Sequence, residues 1–182
     1  YNGGADFPDD KTWKAYKREG GQMTRGDWRR DPVNRFIERV YNEIKKEKNS
    51  VRFGISPFGI WKPGYPAGVT GSSQYDELYA DAKLWLNKGW VDYFTPQLYW
   101  PIKLERQSFP ALLKWWQSEN TMQRHLWPGL NTVEVRAADR PQEIVNQIDV
   151  TRAVLPKSVG AVHWSIAGIQ KSPSMINALV EG

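Results

Sequence analysis

Val51-Arg52-Phe53-Gly54-Ile55-Ser56 is a short β-rich run. The loop Pro57-Phe58-Gly59-Ile60-Trp61 follows it, and then Tyr75, Leu78, Tyr79, Ala82 and Leu86 fall on one helical face. The same unit returns three times. Val91 to Tyr99 leads into Phe109, Leu112, Leu113 and Trp116. His125 to Leu130 leads into Ile144, Val145 and Ile148, opened by Pro141 near the first helical turn, and Val159 to Trp164 leads into Met175, Ile176 and Leu179. Upstream, Val33, Phe36, Ile37, Val40 and Ile44 mark another amphipathic helix, with Asp31 read as its N-cap and Pro32 as its first residue.

Strands that start roughly 35 to 40 residues apart and alternate with helices predict a parallel sheet covered by helices. Near-continuous apolar runs suit strands buried on both faces. A doubly wound open sheet has the same alternation, but its Gly-rich phosphate turn after a strand is missing. The reading is therefore α/β, a (β/α)8 TIM barrel of which the chain supplies roughly half, as four strand–helix units. A complete barrel takes about 250 residues, and this chain has 182. Four strands cannot close a barrel, so the N-terminal half or a second copy is the expected partner. No repeat, low-complexity tract or linker divides residues 1–182, which are read as part of one domain. Open parallel edges predict that the segment alone is unstable or self-associates.

Composition narrows the function classes. There is no run of about 18 apolar residues, which excludes a spanning helix. The absence of cysteine removes disulfides, thiolate metal sites and cysteine nucleophiles. The formal charge is +5, but the basic residues are scattered among acids along helices, which argues against nucleic acid as a partner. The compositional outlier is aromatic, with ten Trp, eight Tyr and six Phe. Clusters of Trp and Tyr in loops serve binding surfaces, so their positions decide more than their number.

In α/β barrels, functional residues gather at the C-terminal ends of strands. Those ends read Ser56-Pro57-Phe58-Gly59-Ile60-Trp61, Gln97-Leu98-Tyr99-Trp100, Gly129-Leu130-Asn131-Thr132 and His163-Trp164-Ser165. Hexose rings present an apolar C–H face to indoles and a rim of hydroxyls to amides, so this mixture suits carbohydrate better than phosphate or metal. Ser56, Trp61, Gln97, Tyr99, Trp100, Asn131 and Trp164 are the candidate substrate contacts. Packing at the barrel top remains open for the tryptophans, and satisfying a buried backbone group remains open for Gln97. His163 has no paired ligand pattern, so it reads as a satisfied structural histidine and not a zinc ligand.

The segment Gly26-Asp27-Trp28-Arg29-Arg30-Asp31-Pro32 reads as a loop. Its two guanidiniums beside a carboxylate hold either an ion pair or an anionic sugar substituent, which adds Arg29 to the substrate candidates. Glycoside hydrolysis needs two carboxyls about 5 to 9 Å apart, one kept protonated near neutral pH. The acids placed on the functional face are Asp27, Glu105, Glu134 and Asp139, and none is the last residue of a strand. Asp27 and Glu134 are the in-chain catalytic candidates. Asp92 stands at a strand start, and Asp76, Glu77 and Asp81 read as helix surface.

Taken together, Phe7-Pro8-Asp9-Asp10, Asp27-Trp28-Arg29-Arg30-Asp31, Phe53-Gly54-Ile55-Ser56-Pro57-Phe58-Gly59-Ile60-Trp61, Tyr75-Asp76-Glu77-Leu78-Tyr79-Ala80-Asp81 and Pro96-Gln97-Leu98-Tyr99-Trp100-Pro101 resemble the glycosyl hydrolase-like 10 family. The likeness runs from about Phe7 to near Trp164. It implies a (β/α)8 TIM barrel of which residues 1–182 are roughly the C-terminal half, with the N-terminal strands missing, a bacterial cell-envelope, lipid-anchored or secreted location, and hydrolysis of glycan such as bacterial cell-wall strands. In that family an acidic motif resembling Asp-Asp-Tyr-Phe-Tyr-Pro ends strand four, and Tyr1 resembles its tail. The main catalytic carboxylates are then expected upstream of Tyr1. The first reading is a fragment of a glycoside hydrolase with no cofactor or metal; the alternative is a non-catalytic carbohydrate-binding module.

Overall fold

Four stretches of extended chain lie side by side in sequence order, all parallel. β1 (Gly54–Ile55), β2 (Tyr93–Phe94) and β3 (His125–Leu126) form one sheet, with Gly54 opposite Tyr93 and Tyr93 opposite His125. β4 (Gly129–Asn131) pairs in parallel with β5 (Val162–Trp164). Single bridges from Gln97 to Phe58 and to Gly129 continue the first sheet's register and join it to the second. This computed structural model describes residues 6–157 and 160–181, so Tyr1 and Val159 lie outside the described residues.

The strands are shorter than the apolar runs, and proline is the reason. Pro57, Pro96 and Pro128 each directly precede a bridged residue, and none has an N–H to give to a ladder. The third run, read as one strand from His125 to Leu130, is therefore split into β3 and β4. Its alignment survives the split: Trp127 N–H donates to the Phe94 carbonyl at 2.9 Å and Gly129 N–H to the Pro96 carbonyl at 2.8 Å.

Alternation along the strands separates two faces. Phe94, Leu98, Leu126 and Leu130 are wholly buried in the core beneath the helices. On the opposite face, Tyr93 stacks on Trp127 at 5.1 Å and His125 stacks on the same indole at 5.3 Å. The fold is mixed α/β, with helices packed against short parallel strands.

The helices follow the apolar pattern where local capping agrees with it. α5 (Phe109–Glu119) starts at the Ser108 cap and buries Phe109, Leu112, Leu113 and Trp116, as read. α6 (Arg140–Val154) starts at Asp139, whose carboxylate accepts from the Gln142 N–H, with Pro141 in its first turn. Asp139 is thereby accounted for as a cap. α7 (Ile166–Gln170), which the pattern did not foretell, precedes α8 (Pro173–Glu181), where Met175 is buried.

Two readings are corrected. After α1 (Asp10–Arg18), the long helix α2 (Arg25–Glu47) starts six residues before the expected Asp31 cap, so Gly26 to Pro32 is helix and Pro32 lies inside it. Thr24 is the cap: its hydroxyl oxygen accepts from the Asp27 N–H, and its hydroxyl donates to the Asp27 carboxylate at 2.6 Å. The face from Tyr75 to Leu86 is not one helix but two, α3 (Gln74–Glu77) and α4 (Ala82–Lys88). The break falls where Tyr79 takes φ 53°, and Asp81 starts the second helix by accepting the Leu84 N–H.

An ion cluster ties the N-terminal segment to α2. Arg29 donates to Asp9 through Nε at 2.7 Å and Nη2 at 2.8 Å, to Asp6 at 2.7 Å, and to the Tyr79 hydroxyl. Arg25 adds Asp9 and Asp10. Hydrogen bonds from Arg29, reinforced by Arg25, hold the buried Asp9 carboxyl well below the usual carboxylate range despite desolvation. A depressed native pKa contributes stability that is fully present above the unfolded value of about 3.9 and is lost as pH falls through and below it. The denaturation midpoint is therefore expected to be flat above about pH 5 and to drop below about pH 4. Asp9→Asn should be less stable at neutral pH with a shallower acid limb; an unchanged limb would refute the assignment.

Candidate functional site

At the C-terminal ends of β1 and β2 lies a cavity of about 410 Å³. Its walls are Phe58, Gly59 and Ile60 from the first strand's loop and Gln97, Tyr99 and Trp100 from the second, with loop residues including Gln107 closing one side. Gln97 is the centre of this arrangement. Its backbone bridges both neighbouring strands, its N–H donates to the Pro57 carbonyl at 3.0 Å, and its side-chain amide donates to the Ser56 carbonyl at 3.1 Å. Ser56 Oγ lies 3.5 Å from the same amide nitrogen. That commitment leaves Gln97 Oε1 as the acceptor for a further group.

Gly59 permits the close approach of the second wall. A Cβ there would meet the Gln97 carbonyl oxygen at 2.3 Å and the Trp100 ring at 2.9 Å, so a larger residue would push the walls apart. From behind, the buried Trp116 indole N–H donates to the Gly59 carbonyl at 2.8 Å. Burial pushes the Tyr99 phenol up, which keeps it a neutral donor and acceptor. Two aromatic rings, a phenol and amide groups thus face one concave space, and no lining residue is acidic.

The remaining sequence candidates are held elsewhere. Trp61 does not line the cavity: its ring stacks on Trp115 at 6.0 Å, with Lys83 5.1 Å from its centre, and its indole N–H donates to Asp81 at 3.0 Å. Asn131 Oδ1 accepts the Glu134 N–H at 2.8 Å and so shapes the turn after β4. Glu134 itself is exposed. Trp164 is 62% exposed on β5, its carbonyl accepts from the Thr132 hydroxyl at 2.9 Å, and its peptide bond to Ser165 is cis.

Asp27 sits in the first turn of α2, bonded to Thr24 and to Arg30 at 2.8 Å. Those bonds, Thr24 first, hold its carboxyl below the usual range, whereas a general acid needs it raised. Arg29 is nearly buried and its donors are engaged by Asp6, Asp9 and Tyr79, so of the two readings of that segment the geometry is that of an ion pair. His163 departs from the expected satisfied histidine: its Nδ1 is buried without a partner among the described residues, and burial pushes its pKa down.

Gln107, in a 3-10 turn (Glu105–Gln107), was missed, because nothing local places a loop glutamine beside Trp100. Also unforeseen is a larger cavity, about 500 Å³, bounded by Phe7, Trp28, Arg29, Leu78 and Tyr79. The guanidinium in its wall is consumed by the ion cluster, so the chemistry favours the strand-end cavity.

Residues 1–146 match the model of the family described as Glycosyl hydrolase-like 10. The chain belongs to the glycosyl hydrolase-like 10 family. Among its relatives, Glycosyl hydrolase YngK of Bacillus subtilis (strain 168) is 34% identical over 181 residues, covering 93% of this chain and 35% of that protein. Glycosyl hydrolase DigH of Escherichia coli (strain K12) is 37% identical over 117 residues, covering 62% of this chain and 26% of that protein. The chain thus spans about a third or less of the length of these relatives. The glycosyl hydrolase-like 10 match contains every residue of the strand-end cavity and stops within α6.

Proposed function

We propose that the chain is the sugar-holding C-terminal half of a (β/α)8 barrel in a glycoside hydrolase that acts on bacterial cell-wall glycan or a related polysaccharide at the cell envelope or outside the cell. The observation that carries this reading is the strand-end cavity, lined by Phe58, Gln97, Tyr99, Trp100 and Gln107 and by no carboxylate. Indole and phenyl faces stack on sugar C–H faces, while Gln97 Oε1 and the Tyr99 hydroxyl take ring hydroxyls. Hydrolysis needs an acid and a nucleophile or base. In this reading both come from strands of the barrel's other half, and Asp27 and Glu134 are not asked to supply them.

Strand order supports the barrel. Neighbours in space are neighbours in sequence and all are parallel, without the order reversal of a doubly wound sheet. Apolar residues also remain uncovered at both ends of the array, with Phe36 of α2 54% exposed and Val180 of α8 81% exposed. The N-terminal half of the barrel would cover both, and without it a second copy takes its place. The isolated chain is therefore expected to self-associate, and a monomer by light scattering would count against this.

Incubating the full-length protein and this chain with peptide-free cell-wall glycan strands, and assaying new reducing ends, tests the activity. Cleavage by the full-length protein alone is expected. Gln97→Ala in that protein should abolish most turnover with folding intact, and unchanged turnover would remove Gln97 from the site. Binding without cleavage by either protein would make the domain a carbohydrate-binding module.

A further inference from the structure

Trp100 stands in the cavity wall, but its turn is held from behind by α6. Glu143 Oε1 accepts the Ile102 N–H at 2.7 Å and the Gln147 side-chain amide at 2.9 Å. The same Gln147 nitrogen donates to the Trp100 carbonyl at 3.2 Å. Pro101 lies between these two backbone groups and has no N–H to add, and both groups on either side of it are met from α6. Gln147 is wholly buried, and its Oε1 has no hydrogen-bond partner among the described residues. An apolar residue would fill that position at lower desolvation cost. The polar pair, one helical turn apart on α6, is there for the turn it grips.

We infer that Glu143 and Gln147 are positioning residues for glycan binding: they fix Trp100-Pro101-Ile102 so that the Trp100 ring stays in the cavity wall beside Gly59. This rests on the reading of that cavity as a sugar site. Neither residue touches the sugar. Their contribution is preorganisation, which lowers the ordering cost the platform would otherwise carry when ligand arrives.

The test measures affinity of the full-length protein and its variants for peptide-free cell-wall glycan strands by calorimetry, alongside hydrogen exchange at the Ile102 amide and the denaturation midpoint. Trp100→Ala is expected to lose binding. Gln147→Leu, which keeps the volume, and Glu143→Ala are expected to weaken binding about ten-fold and to speed Ile102 exchange. Glu143→Gln, which retains an acceptor oxygen, should restore most of the affinity, a rescue that a generic loss of stability would not give. If Gln147→Leu and Glu143→Ala bind like the parent protein while Trp100→Ala does not, the positioning role is overturned and the sugar site stands. If Trp100→Ala also binds like the parent protein, the sugar-platform reading falls, and the positioning role falls with it. Should Glu143→Ala fail to fold, Gln147→Leu decides alone.

Discussion

Trp116→Ala is expected to destabilise the chain by about 3–5 kcal/mol, the range for removing a large buried aromatic. The ring is wholly buried in α5, 5.0 Å from Phe94 of β2 and 4.7 Å from Trp115. Truncation removes that packing and also leaves the Gly59 carbonyl without its indole donor. Because Gly59 forms part of the cavity wall, the glycan binding proposed for that cavity should weaken with stability. Trp116→Phe separates the two effects: it keeps most of the volume and loses the N–H, for about 1–3 kcal/mol. Urea midpoints at constant slope measure both. A loss under about 1 kcal/mol for the alanine variant would mean that the core closes over the gap.

A smaller loss, about 1–3 kcal/mol, is expected for Asp92→Ala, since it leaves the Phe53 N–H without its acceptor and the part-buried Lys45 without its carboxylate. Asp92, buried just before β2, accepts the Phe53 N–H at 2.8 Å and pairs with Lys45 of α2 at 2.6 Å and with Arg52 at 3.7 Å. Burial alone would raise its pKa, but the Lys45 bond, the Phe53 N–H and the field of both cations outweigh it and hold the carboxyl below its usual value. One carboxylate thus fastens α2 and the segment entering β1 to the start of β2. Asp92→Asn keeps an acceptor for Phe53 and should cost less than alanine. Equal losses in the two variants would show that the hydrogen bond contributes little beside the ion pair.

Both residues stand where sequence reading was strongest. Asp92 was placed at a strand start, away from the functional face, and Trp116 on the inward stripe of a helix, because both inferences need only the local period. The start of α2 shows the limit of local reading. Asp31-Pro32 reads as the cap, but the structure caps the helix at Thr24, and what favours the earlier start is a cluster joining Arg25 and Arg29 to Asp9 across 16 and 20 residues. The break between α3 and α4 has the same origin: Asp81 serves the Leu84 N–H and the Trp61 indole at once.

The alternation of apolar runs and helical stripes, by itself, determined that the strands are parallel and covered by helices, since side-chain period follows from backbone geometry alone. It also put Gln97, Tyr99 and Trp100 at a strand end. Only the tertiary structure decided which aromatic residues face the cavity. Trp61 and Trp100 each follow a strand, yet the long loop after β1 folds Trp61 onto Trp115 and Asp81, while the short Trp100-Pro101-Ile102 turn is gripped by α6. Side chains far apart in sequence make that choice, and no local pattern records which of them will meet.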